Sequence, residues 1–472
     1  MHCRLRFSIS SMTHTNEETT SSSGVGTFES IAINLLDSRN RYRGTIGKSQ
    51  HTHSDIMEAN PMTREFDTVI AGTGPAGLMT AEQCAGRGLD TLILEKRKDV
   101  TSSLMGELVT DKALRLLRVK PNSEYIGNKF TQIVGESLDT GANIVVDRTL
   151  LGNSYLLDED RCQELMRDRA LAHGAEFRYN ARVKSVVQKD NQVIGVKYNH
   201  DEEARAGLTV GADGSFSRVS KTAGFTHPKW LLSYGYRFKL ENCKNVDPDV
   251  AYFYVGEDVG LGYLWLYPRS ETEVNLGIGR VPSSKDKWEE LKPMRDVLKK
   301  YMKTHPETKN AKIASVNGGV VPCAGLIPRF TDAGVSLCGN AAGQVSSIVG
   351  GGVTTCFHAG ILLAKHAKRM AEHDDYSEKS VRKYEKEYRG TKLANNIVNT
   401  GKGMWAVSKF SMHNDPISAA EIVLDELDAR TLNELIQGTA GINTYLTLVS
   451  EFLPMVMNIG LGYLRAIAIS GL

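Results

Sequence analysis

The sequence predicts an α/β fold: a Rossmann-like dinucleotide-binding domain, an inserted antiparallel sheet and a helical C-terminus. Three observations predict it. An apolar run leads into a glycine turn at Asp67–Gly77, and a second strand ends in Glu95. Two later apolar runs end in Ala212-Asp213-Gly214 and in Gly339-Asn340-Ala341-Ala342-Gly343. Between these two lies Leu231–Gly279, rich in aromatic residues that alternate with period two.

The first run carries the most chemistry. In Gly72-Thr73-Gly74-Pro75-Ala76-Gly77, Gly72 allows the tight turn after the strand and Gly74 lets the backbone approach a pyrophosphate. Gly77 lets the following helix, Leu78–Arg87, pack close to the sheet. An anion then sits at the helix N-terminus, where free N–H groups and the positive dipole end face it. Glu95 closes the strand Thr91–Leu94 and can accept a hydrogen bond from a ribose hydroxyl. Gly72, Gly74, Ala76, Gly77, Glu95 and Lys96 are therefore the cofactor candidates. The bland alternative is a glycine turn with no ligand.

Composition bounds the rest. The 472 residues exceed one small domain, and 41% hydrophobic with 24% charged residues is ordinary for a globular chain. A net charge of +2 offers no strong field for nucleic acid. Cys3, Cys84, Cys162, Cys243, Cys323, Cys338 and Cys356 show neither paired nor zinc-like spacing, which suits buried thiols in a reducing cytoplasm. Residues 1–61 are polar and lack an apolar signal core, so they are expected to be disordered or a gene-model extension, with Met57 or Met62 as alternative starts. The organisation expected is a dinucleotide-binding domain over 62–392, with insertions at about 120–160 and 225–330, and a helical region over 393–472.

After the fingerprint, Thr110–Leu117 reads as a helix and Tyr125–Leu157 as strands of a second layer. A helix is expected over Glu164–His173, with strands over Ala175–Val187 and Gln192–Tyr198. The strand that ends at Ala212-Asp213-Gly214 resembles the element that returns the chain to the flavin in two-domain flavoproteins. Read without a ligand, Asp213-Gly214 is a turn and Ser217 a helix cap. Tyr263, Trp265 and Tyr267 share one strand face, either a plain core face or an apolar wall for a substrate. The run Gly350-Gly351-Gly352-Val353 suits close backbone approach to a flat ligand or phosphate, and helices follow at Ala359–Met370 and Tyr384–Lys392. The apolar C-terminal stretch Phe452–Ile469 carries Pro454, Asn458 and Arg465, which favours a packed or membrane-touching helix over a span.

Taken together, these elements resemble the geranylgeranyl reductase family of flavoproteins, over about Phe66–Lys392. Tyr263-Leu264-Trp265-Leu266-Tyr267-Pro268 and then Gly277 and Gly279 are similar to the family's YxWxFP motif and following glycine pair. Gly318-Gly319-Val320-Val321-Pro322 through the Asn340 turn to Gly350–Val353 is similar to its GG-x-x-P, GDAAG and TGGGI stretch. The resemblance implies an FAD-binding domain of the glutathione-reductase and aromatic-hydroxylase type. It adds Gly106, Asp213, Asn340, Gly351, Gly352 and Val353 to the cofactor set. Three positions depart from the pattern. Asn340 replaces an aspartate that bonds the flavin's ribityl chain, Met105 replaces a cysteine, and Glu159 stands where an arginine is expected, with Arg161 two residues on.

What the resemblance implies chemically is saturation of geranylgeranyl C=C bonds by reduced FAD. Tyr263, Trp265 and Tyr267 would then wall the prenyl tunnel, with Tyr263 the nearest proton donor in the motif and water an equal one. The implied partners are a geranylgeranyl lipid or prenyl diphosphate and a donor, reduced ferredoxin or NAD(P)H. The implied location is cytoplasmic, at the inner face of the membrane. An FAD-dependent aromatic hydroxylase and a non-redox, cyclase-like isoprenoid-binding protein remain the alternatives.

Overall fold

The computed structural model describes residues 65–101, 107–141, 143–147, 153–227, 232–281, 293–347 and 349–411. The expectations for residues 1–61, for Gly106 and for the apolar stretch 452–469 fall outside these residues.

The described residues begin with β1 (Glu65–Ala71), α1 (Pro75–Ala85) and β2 (Thr91–Leu94). Then come β3 (Leu108–Thr110), α2 (Asp111–Leu117), β4 (Ile126–Phe130), β5 (Gln132–Ser137), β6 (Asn143–Asp147) and β7 (Ser154–Leu157). Helix α3 (Glu159–Ala172) precedes β8 (Glu176–Arg178), β9 (Val183–Lys189), β10 (Gln192–Tyr198) and β11 (Glu202–Gly211). After the short α4 (Arg218–Thr222) follow β12 (Leu232–Glu241), β13 (Val250–Val255), β14 (Gly262–Pro268) and β15 (Val274–Arg280). Helix α5 (Met294–Thr304), β16 (Lys312–Pro322), β17 (Thr331–Asp332), β18 (Val335–Leu337) and a 3-10 turn (Gly339–Ala342) lead to α6 (Val353–His373), α7 (Glu378–Arg389) and α8 (Lys392–Ser411).

The first sheet runs β17-β18-β11-β1-β2-β8, with β10 and β9 joined to β11. Its central strands pair in parallel, Ala71 opposite Gly211 and Gly211 opposite Leu337. These strands are apolar throughout because both faces are covered: Val69, Ile70, Leu92, Ile93, Leu208, Val210, Val335 and Leu337 are buried. Helices α1 and α6 pack together on this sheet, where Met79 and Phe357 join one apolar cluster.

The inserted sheet runs β16-β12-β15-β14-β13-β5-β6. It is antiparallel except where β5 meets β13 in parallel, Gly135 opposite Phe253. The segment expected as a second layer thus divides: β5 and β6 extend this sheet, while β4 and β7 join β3 in a three-stranded sheet. One face of the large sheet packs on α5 through Phe238, Leu264, Leu276, Ile278, Leu298 and Tyr301. The helix at Met294–Thr304 had no expectation from sequence. Helix α3 begins five residues earlier than expected, because the Asp158 carboxylate caps it and accepts from Arg161 N at 3.2 Å.

Opposite α5, the sheet carries Tyr263, Trp265 and Tyr267. Trp265 pairs in register with Gly277 and lies across it: a Cβ on Gly277 would come within 2.1 Å of the indole. No helix of the described residues is long and apolar enough to cross a membrane. The six described cysteines are buried and free, and burial raises Cys84, Cys162, Cys323 and Cys338 to about 12, consistent with inert thiols.

Gly277→Ala is expected to destabilise the fold by roughly 1–3 kcal/mol through overpacking, measured by urea denaturation. In a Trp265→Leu background the same change should cost less, since its clash partner is gone. Equal costs in both backgrounds would show that the indole does not lie on Gly277.

Candidate cofactor and substrate site

The parallel pairing brings three turns to one sheet edge. Gly72 N donates to Leu94 O at 2.8 Å, Ala212 N to Ala71 O at 3.0 Å and Cys338 N to Gly211 O at 3.0 Å. Each strand therefore ends one step from its neighbour, and the turns beyond them touch. A Cβ on Gly72 would lie 2.7 Å from Ala212 O and 3.1 Å from Asp213 Cα, and Gly72 takes a φ of +97°. A Cβ on Gly339 would lie 2.8 Å from the Ala76 methyl group.

Within the fingerprint the glycines have different jobs. A Cβ on Gly77 would sit 2.0 Å from Gly72 O, so α1 can seat here only with glycine. A Cβ on Gly74 would meet nothing within 4 Å. Neither packing nor its φ of −66° requires glycine at this position, and open space above it is what a bound pyrophosphate needs. Helix α1 has no side-chain cap and no acidic residue in its first turn. The 21-residue α6 has neither, and it starts at Val353 behind Gly351 and Gly352. Both helix ends are thus left open to an anion or an electron-rich ring edge.

Glu95 is buried, and its Oε2 accepts from Thr73 N at 2.9 Å and Thr73 Oγ1 at 2.7 Å. Its Oε1 accepts from Arg97 N at 2.9 Å. Carboxylate lone pairs remain for a ribose hydroxyl. Lys96, next to it, is exposed. The Asp213 carboxylate turns back on its own helix. It accepts from Arg218 N at 2.6 Å and Val219 N at 3.2 Å and from the Ser217 hydroxyl, while Ser217 Oγ accepts from Ser220 N at 2.9 Å. The capping role read for Ser217 is present, and Asp213 shares it. Burial pushes the Asp213 carboxyl above its usual range.

Asn340 meets this loop from the third turn. Its Nδ2 lies 3.5 Å from Ser215 Oγ, which donates to Val320 O of β16 at 2.7 Å. Its Oδ1 lies 3.8 Å from where a Gly352 Cβ would be. The aromatic face joins at the same place. Tyr263 Oη donates to Val349 O at 2.6 Å, beside Gly350. That hydrogen bond ties the hydroxyl to the glycine run, and burial raises its pKa. Trp265 is half-buried and Tyr267 is buried. Among the described residues, no group of three or more His, Cys, Asp or Glu could hold a metal.

Sequence reasoning passed over a buried charge network at this face. Arg237 Nη1 donates to Glu107 Oε1 at 2.7 Å and to Glu159, and the Asn275 amide donates to Glu107. The departure at Glu159 was the one available signal; Arg237 and Asn275 lie far away in sequence on β12 and β15.

This architecture, with open glycine turns at the ends of parallel strands, defines an FAD-binding domain, and the model of that domain family matches residues 65–358. The chain is a flavoprotein oxidoreductase whose cofactor is FAD. Within that class it belongs to the digeranylgeranylglycerophospholipid reductase family. It is 30% identical to such a reductase of Thermoplasma volcanium over 333 residues, 68% of this chain and 82% of the relative. A reductase of the same name from Methanococcoides burtonii is 27% identical over 79% of this chain and 90% of its own. The fold is shared with a crystal structure of a geranylgeranyl bacteriochlorophyll reductase-like protein from Thermoplasma acidophilum, at TM-score 0.70 and 24% identity, covering 84% of this chain and 98% of that one. A flavin-dependent brominase also has it, at TM-score 0.59 and 17% identity, covering 79% and 98%.

Gly74→Ala should leave folding stability within about 0.5 kcal/mol yet weaken FAD about tenfold or more, near 1.4 kcal/mol. Gly77→Ala should lower stability and flavin content together. Denaturation and FAD titration of both variants check the contrast; an intact FAD affinity in Gly74→Ala would remove the pyrophosphate from that opening.

Proposed function

We propose that this chain saturates C=C bonds of geranylgeranyl chains in isoprenoid lipids. The observation that carries the proposal is the meeting of the aromatic face with the cofactor turns, through the 2.6 Å bond from Tyr263 to Val349 O beside Gly350. Tyr267 is buried with Phe130, Ile133 and Leu156, and Trp265 packs against that cluster. Trp265 also lies across Gly277 and remains partly accessible. The names of the relatives point to the same substrate class.

The bound flavin supplies hydride to one alkene carbon. The chain's own residues hold the substrate and keep water out. An isolated alkene has no carbonyl to polarise, so placement carries much of the catalysis. Tyr263, Trp265 and Tyr267, with Phe253 edge-on to two of them at 5.2 and 5.5 Å, form an apolar wall. A chain of about 20 carbons gains roughly 0.8 kcal/mol per enclosed methylene-sized group before ordering costs. Asn340 would hold the cofactor by an amide in place of a charge, with Asp213 setting the neighbouring loop. Gly106 belongs to the same proposed cofactor set. Reduced ferredoxin or NAD(P)H is the donor in this reading. The substrate enters from a membrane surface, and Phe216, 68% exposed on the loop after Asp213, offers an apolar ring at that side.

The test is anaerobic. A donor should bleach the flavin and a geranylgeranyl lipid should restore its colour. Recovery only with oxygen would indicate a hydroxylase, and a flavin that no donor bleaches would indicate a non-redox protein. Trp265→Ala should keep its FAD and recover colour at least about tenfold more slowly with the long chain, near 1.4 kcal/mol. Wild-type recovery in a folded Trp265→Ala variant would remove the ring from the substrate wall.

A further inference from the structure

Two carboxyls share one guanidinium beside the aromatic face. Glu107, immediately before β3, and Glu159, in the first turn of α3, are 4% and 6% exposed. Both accept from Arg237 Nη1, so their oxygens lie within about 5 Å of each other. Arg237 Nη2 reaches Glu159 Oε2 at 3.4 Å, and Asn275 donates to the other oxygen of Glu107. Arg269 Nη1 lies 3.8 Å from Glu107 Oε1, while its Nη2 is 3.5 Å from Asp158 Oδ2.

Arg237 is the one cation that both buried carboxyls touch; Arg269 lies 3.8 Å from Glu107, and Lys239 acts on Glu159 from further off. Two buried carboxyls on one cation relieve their repulsion by keeping a proton between them. The environments split the pair. Burial and the Glu159 carboxyl beside it push Glu107 well up. Burial also pushes Glu159 up, but the bonds from Glu107 and Arg237 outweigh it and hold Glu159 below its usual range. A pair driven apart in this way divides into an acid and a counterion.

The network lies on the substrate side of the sheet. Arg237 pairs with Gly277, which pairs with Trp265; Lys239 pairs with Asn275, which pairs with Tyr267. Asn275, 1% exposed, has an Oδ1 with no partner, and Arg237 Nε has none either. A buried acceptor and a buried donor are therefore left open beside the acid. Glu107 also sits two residues beyond Met105, next to the proposed cofactor residue Gly106.

We propose that Glu107 is the acid that supplies the alkene proton. This rests on the reading that the chain reduces isolated C=C bonds. The π bond breaks; one carbon takes the hydride that the flavin supplies, and the other takes the Glu107 proton. Glu107 is left as a carboxylate against Arg237, and a solvent proton restores it. The groups that tune it are Glu159, Asp158 and Asp160 of α3 and its cap, Arg237 and Lys239 of β12, Tyr267 of β14, and Arg269.

Two arms test this on the purified full-length flavoprotein. Infrared spectroscopy at neutral pH should show a buried protonated carboxyl in the wild type that is absent from Glu107→Gln. The band should also vanish in Glu159→Gln, where one carboxyl is left to face Arg237 alone. In the second arm, recovery of dithionite-reduced flavin by a geranylgeranyl lipid should slow by about 100-fold or more in Glu107→Gln, with FAD content and bleaching unchanged. If Glu107→Gln does not fold, Glu159→Gln carries both arms, its recovery slowed through loss of the shared proton. A band that survives in the folded variants, or recovery at the wild-type rate, overturns the proposal. If no prenyl lipid reoxidises the wild type, the reductase reading itself fails, while the infrared arm still decides whether the pair holds a proton.

Discussion

The site depends on the parallel register of β1, β11 and β18. Parallel pairing with Ala71 opposite Gly211 and Gly211 opposite Leu337 ends three strands at one level. Three turns that are 140 and 127 residues apart in sequence, starting from Gly72, Ala212 and Gly339, are therefore stacked side by side. A slip of one residue would separate Gly72 from Asp213 and Ala76 from Gly339. The pairing is held by hydrogen bonds and by apolar burial on both sheet faces, so the cofactor edge inherits the rigidity of the core.

A second constraint is close backbone approach. Gly77 brings α1 against the Gly72 turn, and Gly277 lets an indole lie on a strand. Gly74 meets no protein atom at the position of a side chain. Contact explains the first two glycines. The third sits at the N-cap of α1 with open space where a side chain would be, which leaves room for a ligand at the helix N-terminus.

The inserted sheet serves two sides at once. Its α5 face is a conventional apolar core, with Leu264, Leu266 and Ile278 alternating against the aromatic and charged residues of the same strands. The other face ranges from aromatic to charged within a few residues, from Tyr263 through Trp265 and Tyr267 to Arg237 and Asn275. Charges are rarely buried without a partner. Here the partners come from β3 and α3, so the network also fastens the inserted sheet to the dinucleotide-binding half.

The sequence by itself determined the local chemistry. Periodicity placed β2 at Thr91–Leu94 and β10 at Gln192–Tyr198, and the glycine spacing marked the turn before α1. The resemblance in Tyr263–Pro268 named the family, because those residues are contiguous. Long-range geometry was not legible. Nothing local says that β5 pairs with β13 in parallel, or that Asp158 starts α3 early. The direction of the Tyr263 and Trp265 face was also left open, since period two fixes that residues share a face and not which way it points. Only the tertiary structure decided that the Tyr263 hydroxyl bonds Val349 O, that Asp213 caps its own helix, and that Glu107, Glu159 and Arg237 meet. Such meetings join residues as much as 130 positions apart, and their energy comes from shared burial that no single segment of the chain encodes.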